Sequence, residues 1–368
     1  MTQLYTHELE ALKRAGRFRK RQLTNESFID LASNDYLGFA ARRDLFEAAY
    51  QRVAKYRYHA PRASMLVEGY HPLHQELEEL LAHHYGMEAA AVVGSGFLAN
   101  IALLEALPRR GDLVVIDEEF HASGILASKL SKAQVRFFKH NDAQSLLDEV
   151  NQAGQFARLI VVAEGVYSMG GDLCSLDVIK AAERLGALLI LDEAHSGGVL
   201  GERLQGVLEH YRLTYDGPLV RMGTLGKAYG SYGAYLLSSH EIISFLENRA
   251  KPLIYSTALS LFDTALAIEG LLALEHEAKK LRKALDERLA AASTVTGQRH
   301  DSPIVMVHAA SNASLMAAKA TLAKNGFAVG AIRPPTTKRP MFRLIAGLGA
   351  SIEEITRALV MARELSGC

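Results

Sequence analysis

From about residue 73 the chain alternates between two hydrophobic periods. Helical stretches such as LHQELEELLAHHY (73–85) carry apolar residues three and four apart, and short continuous apolar runs separate them. The runs are AAVV (90–93), LVVI (113–116), VRFF (135–138), LIVVA (159–163), LLIL (188–191), LVRM (219–222) and AYLL (234–237). Runs without polar alternation, joined by amphipathic helices, read as βαβ units whose strands are buried on both faces. They predict an α/β fold, with a mostly parallel seven-stranded sheet covered by helices over residues 51–255.

The texture changes after about residue 255. A long helical region (258–292) leads into IVMVH (304–308), a helix (312–325), AVGAI (328–332) and FRLIA (342–346). A last helix opens on Ser351-x-x-Glu354, a capping box. This predicts a smaller α+β domain over 256–368. Residues 1–50 are expected to be an N-terminal segment packing near the site. It comprises a polar helix over 3–21, ending in Arg14, Arg17, Arg19, Lys20 and Arg21 as a solvated face, then a turn-rich irregular stretch over 29–39 marked by Asn34-Asp35 and Gly38.

Composition narrows the function classes. Of 368 residues, 49% are hydrophobic and 22% charged, which is ordinary for a globular chain. Lys+Arg and Asp+Glu both number 41, leaving no net field to draw nucleic acid or an anionic membrane. Two cysteines, Cys174 and Cys368, cannot make a disulfide framework and fit a reducing compartment. The N-terminus shows no signal-peptide core, and no apolar stretch of about 18 residues occurs. The expectation is a cytoplasmic protein without nucleic-acid or membrane partners. His71 and His74, at the start of a helix, read as caps and surface rather than a metal pair, and His83 and His84 as solvated.

Three segments place polar residues directly after buried strands, where open α/β sheets bind ligands. In LLILDEAHSGG (188–198), Asp192 is a candidate buried carboxylate or a helix N-cap, and His195 a site residue or a satisfied core histidine. In RMGTLGKAYGSYGAYL (221–236), Lys227 sits in a Gly-rich turn after Thr224. It is either a desolvated amine, nucleophilic toward carbonyls, or a surface lysine. In VVGSGFLANIALLEAL (92–107), a glycine turn at Gly94 and Gly96 leads into a helix whose N-terminus suits a phosphate. Neither GxGxxG nor GxxxxGK[ST] spacing is present. One ligand accounts for all three segments: a phosphate on the Gly96 turn, an aldehyde for Lys227 and a ring nitrogen for Asp192. That ligand is pyridoxal 5'-phosphate (PLP), whose protonated ring is an electron sink.

SNDYLG (33–38), GSGFLAN (94–100), HAS (121–123), EGVYSMGGD (164–172), DEAHSGGVLG (192–201), GTLGKAYGS (223–231), IYSTAL (254–259) and AIRPPT (331–336) follow in this order. Together they resemble the α-oxoamine synthases, a branch of the fold type I PLP enzymes, from about residue 30 to 345. The resemblance implies an acyltransferase that joins an amino acid to an acyl thioester with loss of CO2. AIRPPT is most similar to the branch that uses L-alanine and a pimeloyl thioester, carried by coenzyme A or a carrier protein, in biotin biosynthesis. By this resemblance Lys227 would hold the cofactor as a Schiff base and carry protons, and Asp192 would pair with the ring nitrogen. His195 and Ser168 would bond the ring hydroxyl, His121 would stack on the ring, and Glu164 would belong to the cofactor site. Gly96, Phe97 and Thr224 would hold the phosphate, with Ser256 or Thr257 added from the second subunit of a homodimer. Arg343 would clamp the amino-acid carboxylate, and Arg19, Asn34 and Thr336 would contact the acyl substrate.

The chain departs from the family pattern in two places. HAPRASMLVEG (59–69) has Met65 where an arginine is usual, Pro61, Arg62 and Ala63 at flexible positions, and Glu68 for a serine. LIAGLGA (344–350) lacks the usual Ala-Ala-His. The alternatives are a sister synthase using glycine or serine, an aminotransferase, a non-catalytic binding protein that kept the fold, and a nucleotide-dependent dehydrogenase, against which the missing GxGxxG counts.

Overall fold

The computed structural model describes residues 4–15, 17–21, 23–334 and 336–367. Pro335 of AIRPPT and Cys368 lie outside them. The described residues form two sheets. The smaller contains β1 (Ile29–Leu31), β9 (Ile304–His308), β10 (Phe327–Ile332) and β11 (Met341–Ile345), in the order β1-β10-β11-β9. The larger contains β2 (Ala89–Val93), β3 (Leu113–Asp117), β4 (Gln134–Phe138), β5 (Leu159–Glu164), β6 (Leu188–Asp192), β7 (Leu219–Thr224) and β8 (Ala234–Ser238), in the order β2-β8-β7-β6-β5-β3-β4. All seven apolar runs are strands of this sheet, and only β8 runs against its neighbours.

The continuous apolar character of these strands has a direct cause. Successive side chains point to opposite faces, and both faces are covered. Leu113, Val115, Val161 and Leu189 enter one core, and Val114, Ile116, Val162 and Ile190 the other. The apolar runs then break at one edge of the sheet. β3, β5, β6 and β7 end in Asp117, Glu164, Asp192 and Thr224, with Glu164 in register beside Asp192.

The helix Leu261–Thr296 links the two units. Ser260 caps its start, and Gly297, in a left-handed conformation, ends it. Its residues from Leu261 to Leu285 join the core of the large sheet, and Ala292 joins that of the small one. It starts three residues later than the expected 258–292 and ends four later, because Ser260 as the cap and not the hydrophobic period sets the start.

Several expectations are corrected. The helix expected over 3–21 spans only Thr6–Arg14 and buries nothing. With no buried face to stabilise it, the cationic run beyond Arg14 does not extend the helix. The stretch 29–39 is not wholly irregular: Ile29–Leu31 pairs in parallel with β10, and Asp30 closes the strand by accepting from the Ala32 and Ser33 amides. His71 does cap its helix, but His74 and His84 are buried rather than on the surface. His74 bonds the Leu259 carbonyl (2.8 Å), and His84 meets Glu275 (3.0 Å). In the unusual 59–69 loop, Ser64 bridges to Thr257, Met65–Gly69 form one wide helical turn, and Leu66 and Val67 stand exposed.

Candidate active site

Glu164, Asp192 and Thr224 converge on a cavity of about 220 Å³, while Asp117 turns to His140 and Tyr167. Asp192, last residue of β6, is 4% exposed and accepts from Asn100 Nδ2 (3.1 Å) and the Ala194 amide (2.9 Å). A turn follows it, so it does not cap a helix. Beyond β7 the chain folds into a tight turn, with Leu225 N bonded to Gly233 O (2.9 Å) and Ser231 N to Leu225 O (2.9 Å). Gly230 makes this turn possible: its φ is +63°, and a Cβ there would meet the Phe39 backbone at 2.7 Å. The turn aims Lys227 into the cavity.

Lys227 begins a buried chain of hydrogen bonds. Its Nζ lies 2.7 Å from His195 Nε2, and His195 Nδ1 lies 2.6 Å from the Tyr36 hydroxyl. Tyr36 reaches Asn34 Oδ1 (3.3 Å), which also accepts from Arg343 Nη1 (3.0 Å). Arg343 Nε donates to the Ser168 carbonyl (2.8 Å), and the Ser168 amide to Glu164 Oε2 (3.0 Å). His195 is therefore more than a core histidine. On the other side, His121 Nδ1 lies 2.7 Å from Ser123 Oγ, which also accepts from Asn100.

Burial sets the electrostatics. It pushes the Lys227 amine down to about 8, against the pull of Asp192 and Glu164. His195 is driven well below its ordinary value by burial and by Lys227 and Arg343, so it is neutral. Burial also lowers His121, with Asp192 opposing. Glu164 is raised well above the usual carboxylate range, by burial first and by Asp192 second. An amine near 8 is partly unprotonated at neutral pH and poised for both attack and proton transfer.

The cavity also has the donor set that an aromatic aldehyde phosphate needs. Three buried polar atoms around it, Thr224 Oγ1, Glu164 Oε1 and Asn100 Oδ1, have no partner. The helix Gly96–Ala106 starts at the cavity with its first amides, capped by Ser95, an arrangement that binds phosphate. A Cβ on Gly96 would come within 2.8 Å of Thr224 Cγ2, so the glycine keeps this corner open. The residues present fit PLP.

Of the residues expected from sequence, Gly96, Phe97, His121, Glu164, Asp192, His195, Thr224 and Lys227 line the cavity. Ser168, Asn34 and Arg343 connect to it through the chain of bonds above. Ser256 and Thr257 do not line the cavity of their own chain. Arg19 and Thr336 meet each other at 3.5 Å on the surface, outside the lining. Sequence reasoning gave no role to Asn100, Ser123 or Tyr36, although each lies inside a quoted motif. Larger hollows, of about 1030 and 1440 Å³, lie elsewhere, but their linings join no nucleophile to a buried acid and a helix N-terminus.

A parallel sheet whose strand ends bring together a depressed lysine, a buried acid and a phosphate-type helix terminus defines a class of cofactor-dependent group-transfer enzyme. The family described as aminotransferase class I and II matches residues 26–360, and the chain belongs to that family. It is 41% identical over 352 residues to the 8-amino-7-oxononanoate synthase of Helicobacter pylori, covering 95% of this chain and 94% of that one. Among solved structures it resembles the 8-amino-7-oxononanoate synthase of Francisella tularensis, with 27% identity, TM-score 0.78 and coverage of 93% and 98%. It also resembles the serine palmitoyltransferase of Sphingomonas wittichii, with 26% identity, TM-score 0.88 and coverage of 99% and 98%.

Proposed function

We propose that this chain is a PLP-dependent acyltransferase that condenses L-alanine with a pimeloyl thioester, releasing CO2 and the free thiol and forming 8-amino-7-oxononanoate for biotin biosynthesis. The observation that carries this reading is the meeting of Lys227, Asp192 and the Gly96 helix terminus in one cavity. The 41% identity to the Helicobacter synthase supports the choice of substrates.

Bound there, the cofactor supplies an electron sink for the charge that develops at the amino acid's α-carbon. Lys227, with its pKa near 8, takes the proton from that carbon and later returns one. Asp192, fixed by Asn100 and Ala194, offers its carboxylate to the ring nitrogen. Thr224 Oγ1 and the Gly96 amide would hold the phosphate, and His121 would stack on the ring. Glu164, whose carboxyl burial raises above the usual range, keeps one oxygen unpaired at the cavity. Arg343, held by Ser168 and Asn34, would receive the amino-acid carboxylate on its guanidinium.

Arg19 and Thr336 contact the acyl substrate at the surface, and Ser256 or Thr257 completes the phosphate site of a second subunit. The acyl carrier is coenzyme A or a carrier protein, and the setting is the cytoplasm. Among the described residues no helix is long and apolar enough to cross a membrane. A second reading, a sister synthase using glycine or serine, is favoured by the higher TM-score against the serine palmitoyltransferase.

The test is absorbance spectroscopy of the PLP-loaded protein titrated with alanine, glycine and serine. Alanine is expected to perturb the cofactor band at the lowest concentration. A selective response to glycine or serine moves the activity to the sister class, and no cofactor band refutes both readings. Borohydride should fix the cofactor to Lys227, and label retained in Lys227→Ala would contradict the assignment.

A further inference from the structure

Tyr36 is fully buried, and its hydroxyl is the only group within hydrogen-bond reach of His195 Nδ1 among the described residues. His195 is neutral, so one ring nitrogen carries a proton and the other accepts. Tyr36 also receives a hydrogen bond from Arg343, which leaves its own proton to point either to Asn34 or to His195, and two patterns result. In the first, the Lys227 ammonium donates to Nε2, Nδ1–H donates to Tyr36, and Tyr36 donates to Asn34 Oδ1. In the second, Tyr36 turns its hydroxyl to donate to Nδ1, and Nε2–H donates to the lone pair of the unprotonated Lys227 amine. Asn34 Oδ1 is fixed as an acceptor because Arg343 Nη1, which can only donate, binds it. The two patterns differ by one rotation of the Tyr36 hydroxyl and one imidazole tautomer.

We propose that Tyr36 is a positioning residue that sets the tautomer of His195, switching it between accepting from Lys227 and donating to it, and that Asn34 ties this switch to Arg343. The charged and titratable groups facing the pair come from every side. Lys227, Arg343 and His121 act on His195, and Asp192, Glu164 and Arg343 act on Lys227. Of these, Lys227 is the one that changes charge near pH 8, so it drives the switch. Phenylalanine at 36 leaves Nδ1 with no partner in either pattern. Alanine at 34 removes the acceptor that the first pattern needs.

The proposal does not depend on the substrate and is tested on the cofactor-free full-length chain. Imidazole ¹⁵N spectra of the 14 histidines, with His195 identified by its loss in His195→Gln, report the tautomer directly. Wild-type protein should carry the proton on Nδ1 at pH 6.5 and on Nε2 at pH 9.5. Asn34→Ala should hold Nε2–H at both pH values, and Tyr36→Phe should lose the pH-dependent exchange. In the loaded enzyme, Tyr36→Phe should lower turnover roughly tenfold, as loss of one buried hydrogen-bond partner implies. An exchange that persists unchanged in Tyr36→Phe, or a wild-type tautomer that is the same at both pH values, overturns the proposal. If Tyr36→Phe does not fold, the Asn34→Ala spectrum decides alone.

Discussion

Replacing Arg221 with methionine tests how the fold holds its strand-end acids in place. Asp192 and Glu193 are consecutive, so one faces the cavity and the other the opposite side. Glu193 is fully buried and pairs with Arg221 at 2.8 Å, whose side chain is 6% exposed. Arg221 also donates to the Gln205 carbonyl and lies over the Tyr85 ring at 4.6 Å. The Glu193 carboxylate accepts from Ser196 Oγ and the Val207 amide as well. These bonds clamp the turn that runs from Asp192 to His195.

Arg221→Met would leave Glu193 buried with two neutral donors and no counter-charge, a loss of about 3–5 kcal/mol. With an unfolding entropy of about 2.1 cal/mol/K per residue, a cooperative transition of the chain loses about 4–6 °C in Tm. Circular dichroism melts of the cofactor-free protein give the shift without a contribution from ligand binding. Glu193→Gln in the Arg221→Met background removes the stranded charge and should recover more than half of the loss. PLP affinity should fall in the single variant and partly return in the double. A single-variant shift below about 1 °C, or a double variant as damaged as the sum of the singles, would refute the clamp.

Three further outcomes follow from the geometry. Burial pulls His140 down, but Asp117 (3.0 Å) and Asp172 (2.8 Å) lift it to about 10. Its stabilisation is therefore complete below pH 6.5 and lost as pH rises through about 10, so the gap in urea midpoint between wild type and His140→Gln should narrow between pH 7 and 10.5; a constant gap contradicts this. The rate at which cofactor-free protein takes up PLP should rise through pH about 8, where Lys227 loses its proton, and a midpoint near 10.5 would show an unperturbed amine. Gly96→Ala, whose Cβ would press on Thr224 Cγ2 at 2.8 Å, should leave the fold intact and weaken PLP binding about tenfold in equilibrium dialysis, the worth of one hydrogen bond to a charged group; unchanged affinity places the phosphate elsewhere.

What could be read from the sequence followed burial. The seven strands announced themselves because both faces are covered, and Asp192 and Lys227 because a polar residue after such a run has few reasons to be there. β1 did not, since three residues are too few to show a period and its pairing with β10 is nearly 300 positions away along the chain. His84 was missed for a different reason. It lies on the same helical stripe as Leu73, Leu77 and Leu81, so the register placed it in the core while its residue type suggested water. Asn100 and Tyr36 stand in recognisable motifs, but their partners are 92 and 159 residues away, and only the fold brings Asp192 and His195 to them.

That distribution of partners has a consequence for the reaction. Asp192 ends β6 of the large sheet and His195 and Lys227 lie in the turns after β6 and β7, whereas Arg343 sits on β11 of the small one. The hydrogen bonds that connect them run through Asn34, Tyr36 and Ser168. The groups that would hold the cofactor therefore come from one unit, while the guanidinium that would receive the amino acid comes from the other. Cofactor binding needs only the first to be intact; amino-acid binding needs the two in register. A substitution that loosens the small sheet should therefore raise the KM for the amino acid while sparing cofactor affinity, and one that loosens the turn after β6 should damage both.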